Sequence, residues 1–116
     1  MYDLYSKFDI EQHKQHYVHY LEVVMFPDGT VEYAVPSHQE KLIAICCDQL
    51  HVSRSELADM CPEDYYFDFV TWLCNMSGCV SIWSDNIIKP NDKPLTHAQW
   101  EMLNKLKEAG IYEGEL

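Results

Sequence analysis

From Tyr17 to Phe26 the chain reads YVHYLEVVMF, a run rich in β-branched and aromatic residues. It stops at Pro27-Asp28-Gly29 and, after Thr30, is answered by a second run, VEYAV. Proline presets φ for the first central residue of a turn, and glycine supplies positive φ at its end. The pattern predicts a β-hairpin. In its first strand Tyr17, His19, Leu21, Val23 and Met25 share one face, and Val18, Tyr20, Glu22, Val24 and Phe26 share the other. Both faces are largely apolar, which predicts a strand covered in part on both sides.

Helical periodicity takes over after the hairpin, and three segments open with the same device. Ser37-His38-Gln39-Glu40, Ser53-Arg54-Ser55-Glu56 and Thr96-His97-Ala98-Gln99 all match the capping box, in which a hydroxyl accepts from the N3 amide while Glu or Gln reaches back to the cap. The first predicts a helix over His38 to Leu50, with Leu42, Ile43, Cys46, Cys47 and Leu50 on one face. The second predicts a short helix over Arg54 to Met60 that buries Leu57 and Met60. Pro62 suits a first helical position, so a third helix is expected from there to Ser77, capped by Gly78. Its expected polar stripe is Asp64, Asp68, Thr71 and Asn75. Tyr66, Phe69, Val70, Leu73 and Met76 form its apolar side, flanked by Tyr65 and Trp72, at the centre of the core.

Cys79 to Trp83 alternates like a strand and is expected to join the hairpin, because a lone strand cannot satisfy its backbone. Ser84 to Leu95, with Pro90 and Pro94, reads as a loop. A last helix over His97 to Ala109 aligns Trp100, Leu103, Leu106 and Ala109. Before the hairpin, Asp9 and Gln12 predict one short helical turn over Ile10 to Lys14. The order is β-β-α-α-α-β-α. This is an α+β fold, a small antiparallel sheet (the hairpin plus one later strand) packed with about four helices, mainly on one side. The 116 residues fit one domain, 1–116.

Charge changes the picture more than composition does. The chain is 47% hydrophobic, which fits a globular domain, but 19 Asp and Glu face 8 Lys and Arg, a formal net charge of −11. From Leu42 to Ile88 seven acids stand against one base, Arg54. Such a surface opposes direct binding to nucleic acid or to an anionic membrane. No apolar run approaches the roughly 18 residues of a membrane span. The segment Val52-Ser53-Arg54-Ser55-Glu56-Leu57 resembles the opening of a recognition helix in helix-turn-helix proteins. The same charges oppose that use and favour a structural αα corner.

The candidate chemistry is sparse. Five cysteines (Cys46, Cys47, Cys61, Cys74 and Cys79), an odd count with no CxxC spacing, predict free thiols in a reducing, cytoplasmic setting. Cys61, Cys74 and Cys79 with a histidine would be the zinc alternative, and His13, His16 and His19 a second metal candidate. No catalytic residues, metal site or cofactor are expected. His16 and His19 fall on opposite faces of a strand, and Cys61 is followed by acids that oppose a thiolate.

What remains is the acidic surface. The expected contact residues are Asp59, Glu63, Asp64 and Asp68, with Tyr65 as an exposed aromatic anchor. They imply a non-enzymatic interaction protein that meets a protein partner with a basic surface. The alternatives are a small ligand- or metal-binding domain using the cysteines and histidines, or a homodimer formed through a surplus apolar strand face. In size, acidity and lack of catalytic motifs the chain resembles the small uncharacterised proteins of bacteriophages and mobile elements, among them anti-CRISPR-like inhibitors. That resemblance implies an inhibitor of a nucleic-acid-binding host or defence protein.

Overall fold

The hairpin forms as its sequence predicts, and it becomes the middle of a larger sheet. In the computed structural model, which describes residues 8–16, 22–83 and 86–114, β1 (Glu22–Met25) pairs antiparallel with both β2 (Val31–Tyr33) and β3 (Val80–Trp83). Val23 lies opposite Tyr33 and Ile82, and Met25 opposite Val31 and Val80. β4 (Asn86–Ile88) continues the sheet beyond β3, giving the order β2-β1-β3-β4. This fourth strand lies inside the segment read as a loop. Its Ile87 and Ile88 pack toward opposite faces of the sheet, a period too short for alternation to reveal. The expected strand residues 17–21 lie outside the described residues.

Helices cover both faces, which corrects the one-sided arrangement expected from the sequence. On one face α2 (His38–Leu50), α3 (Arg54–Met60) and α4 (Phe69–Ser77) enclose Val24, Leu42, Ile43, Cys46, Leu57, Trp72, Leu73, Cys74 and Cys79. On the other, α5 (His97–Glu108) brings Leu103 and Leu106 against Val23, Met25, Val80 and Ile82. Phe8 and Ile10, at the start of α1 (Ile10–His16), pack at its margin. The reason is the alternation itself. Val23, Met25, Val80 and Ile82 point away from α2 and α4, and burying each is worth roughly 1.5–3 kcal/mol. The Val23 and Met25 face of β1 is therefore occupied by the chain's own α5.

The entry of α5 is tied down at several points. Gly29, at φ +86°, ends the hairpin turn so close to α5 that a Cβ there would stand 2.7 Å from the Ala98 carbonyl oxygen. The Thr96 hydroxyl donates to Pro27 O at 2.5 Å, and the buried Gln99 amide donates to Gly78 O at 2.9 Å and Phe26 O at 3.3 Å. Trp100 is partly exposed instead of aligning with Leu103 and Leu106 in the core. Met60 is likewise exposed, since α3 spans too few turns to bury more than Leu57.

Two of the three capping boxes are complete, at Ser53–Glu56 and Thr96–Gln99. At the third, Ser37 accepts from the Glu40 amide at 3.2 Å, but the Glu40 carboxylate does not reach back. It holds Arg54 through two bonds of 2.7 and 3.0 Å and so staples α2 to α3. Ser53→Ala is expected to cost about 1 kcal/mol. Thermal melts of this variant and of Ser37→Ala check it, and the complete box should lose at least as much.

Candidate functional site

The segment from Asp59 to Asp68 departs from the continuous helix that Pro62 suggests. A single 3₁₀ turn spans Glu63–Tyr65, the chain bends at Tyr66 and Phe67, and α4 begins only at Phe69. Successive i+3 to i bonds, Tyr65 N–H to Pro62 O, Tyr66 N–H to Glu63 O and Asp68 N–H to Tyr65 O, at 3.0 to 3.2 Å, tighten the whole stretch. The cause is polar. The Tyr65 hydroxyl accepts from Asn75 Nδ2 at 3.2 Å and donates to Asn91 Oδ1 at 3.2 Å, while Asn75 donates to Asn91 at 2.7 Å and accepts from its amide at 2.8 Å. In an unbroken helix Tyr65 and Asn75 would lie about 15 Å apart along the axis, too far for that bond.

The structure corrects the exposure expected of Tyr65: it is half-buried, and its hydroxyl, held by Asn75 and Asn91, ties the turn in place. The exposed aromatics are its two neighbours. Tyr66, expected in the core, is 64% exposed, and Phe67 is fully exposed at 106%. A sequence signal for this existed. Three consecutive aromatics turn through about 200° in a helix, so they cannot all face one core. Thr71 and Asn75, expected on a polar outer stripe, are buried, and Asn75 is satisfied there by Tyr65 and Asn91.

Asp59, Glu63, Asp64 and Asp68 are all exposed, as expected, and they border the exposed Tyr66 and Phe67 along the chain. Among the described residues, none of the four carboxylates takes part in an ion pair or side-chain hydrogen bond. Asp68 is the telling case. It occupies the N-cap position of α4, where an aspartate normally accepts from the first turn, yet its side chain makes no such bond. Nearby positive charge is limited. Arg54 is held by Glu40 and Lys41 by Glu32 at 2.6 Å, while Lys89 and Lys93 flank Asn91 without pairing to the four acids.

The other candidates are placed apart from this turn. Cys46, Cys74 and Cys79 are buried in the core, where burial pushes the Cys46 thiol up to about 11 and the Cys74 thiol up to about 12. Burial also raises Cys61, and the three-residue 3₁₀ turn after Pro62 offers no long helix end to lower it. All five thiols are free. His13 is buried against Phe8 and shares a 2.9 Å hydrogen bond with the Tyr33 hydroxyl, its pKa lowered by burial. The side chain of His16, and His19 entirely, lie outside the described residues. Among the described residues, no three His, Cys, Asp or Glu side chains are grouped so as to hold a metal ion. An open groove of about 680 Å³, lined by Phe8, Ile10, Val31 and Met102 with Asp9 and Glu11 at its walls, shares no residue with the Asp59–Asp68 turn.

Fold and site together define an α+β protein with an acidic, aromatic turn held on a rigid base. Set against protein-family models, curated proteins and solved structures, the chain matches none. Among the described residues no helix is long and apolar enough to cross a membrane.

Proposed function

We propose that this chain is a non-enzymatic interaction protein that docks onto the basic surface of a protein partner, and that it acts as an inhibitor of a nucleic-acid-binding host or defence protein, as mobile elements carry. The observation that carries this reading is a fully exposed Phe67 beside exposed Tyr66, bordered along the chain by four exposed carboxylates that no described residue pairs with. Leaving a phenylalanine in water forgoes roughly 1.5–3 kcal/mol that burial would return. The surrounding acids select what covers it, since like charge on a wrong partner is repelled. The same acids disfavour nucleic acid and anionic lipid as direct ligands. Five free thiols suit a reducing, cytoplasmic setting.

Association with the partner captured from host lysate should be fast at low salt. It should slow steeply as the Debye length falls from about 10 Å at 0.1 M to about 3 Å at 1 M. An association rate that is unchanged across that range contradicts the reading.

A further inference from the structure

We infer that the groove between the start of α1 and the edge of β2 is a second binding site, for a small organic cation with an apolar body, an amine carried on an aromatic ring or alkyl chain. It is independent of the docking reading. The groove holds about 680 Å³, inside the range of about 300–1,000 Å³ usual for small-molecule sites. Its lining is mostly apolar, with Phe8, Ile10, Val31 and Met102 brought together from three separate parts of the chain. Asp9, Glu11 and Glu32 line it too, and among the described residues no basic residue does. A purely apolar molecule gains from the floor and leaves the acids unused. An anion is repelled. A bare metal ion needs several oxygen ligands, and among the described residues no three acids, cysteines or histidines are grouped to supply them. A cation on an apolar body answers both parts of the lining.

The walls of the groove are held in place. The Phe8 N–H donates to Val31 O at 3.3 Å, and the Phe8 ring packs on His13 and Tyr33 with centroids 5.4 and 5.5 Å away. His13 and the Tyr33 hydroxyl are themselves joined by a bond of 2.9 Å. Asp9 is fixed by a cap, its Oδ1 accepting from the Gln12 N–H at 2.9 Å. The groove therefore stands open before a ligand arrives, and little ordering is required on binding. Its charge is available as well. Glu32 is paired with Lys41 at 2.6 Å, but Asp9 and Glu11 are exposed and meet no cation among the described residues. Like charges along a concave, largely apolar wall focus their field on what enters it.

The test titrates the full chain at low ionic strength with phenethylamine, phenethyl alcohol and phenylacetate, three molecules of similar size and different charge. The methyl resonances of Ile10, Val31 and Met102 report binding in the groove. The amine is expected to bind about tenfold tighter than the alcohol, with phenylacetate the weakest of the three. In the double variant Asp9→Asn, Glu11→Gln the amine should fall to the level of the alcohol, whose affinity stays as it was. The melting temperature should hold, because both side chains are exposed and asparagine keeps the cap. Equal binding of amine and alcohol overturns the inference, and so does a preference that survives in the double variant. Shifts confined to residues outside the groove, or no binding of the amine at millimolar concentration, overturn it too. A blocked Phe-Lys dipeptide that binds about tenfold tighter than the amine would give the groove to a protein segment and overturn the small-molecule assignment. The Asp59–Asp68 turn is untouched by every one of these outcomes.

Discussion

Leu73→Ala is expected to destabilise the protein by about 2–5 kcal/mol. Leu73 is fully buried in α4, where α4 packs on α2, and the two helices lie over β4 and β1 respectively. Its surroundings are not free to collapse. Its carbonyl oxygen accepts from the Ser77 hydroxyl at 2.7 Å and from the Cys46 thiol at 3.6 Å, and the Gly78 cap fixes the end of the helix. Truncation therefore loses the transfer energy of the side chain and leaves a cavity as well. Total stability for a domain of this size is about 5–15 kcal/mol, so the loss is a large share of it. Trp72, nearly buried and stacked on Phe69 with ring centroids 5.5 Å apart, should behave alike. Denaturant midpoints measured at constant slope give the number. A cost under about 1 kcal/mol at both positions would place the core elsewhere.

The second large effect is on binding. Reversing Glu63, Asp64 and Asp68 to lysine should reduce affinity for the basic partner at least about 100-fold at low salt, which corresponds to about 2.7 kcal/mol. Stability should barely move. Glu63 and Asp64 stand on a 3₁₀ turn of only three residues, where little helix dipole accumulates, and Asp68 makes no cap hydrogen bond to lose. The expected stability change is below about 1 kcal/mol, as for surface substitutions away from special contacts. Affinity and melting must be read in the same protein. An unchanged affinity at low salt would reduce this turn to solvated surface.

How far the sequence reveals this molecule depends on how local the cause is. The hairpin turn, the hydroxyl caps at Ser37, Ser53 and Thr96, and the Gly78 stop are set by residues within about four positions, and all of them form. The break before α4 is different. It depends on Asn91, 26 residues after Tyr65, and no local pattern announces that bond. Treating Pro62 to Ser77 as one helix then placed Tyr66 inside and Tyr65 outside, the reverse of what the network enforces. The second helical layer was half legible. The two-sided apolar strand called for it, but nothing in α5 alone said which face it would cover. Glu40 was legible as a capping residue and serves as an ion-pair partner, because Arg54 offers its carboxylate two donors where the cap offers one. The four acids could be read from charge alone, and the structure adds the aromatic pair that gives them a shape.

Hydrogen–deuterium exchange on the protein alone and in complex with its captured partner tests the central claim most directly. If the acidic, aromatic turn is the docking site, partner binding slows exchange from Asp59 to Asp68 and at the start of α4. The α5 face and the hairpin turn should exchange as in the free protein. Protection confined to α5 or the hairpin, with Asp59 to Asp68 unaltered, would contradict the claim.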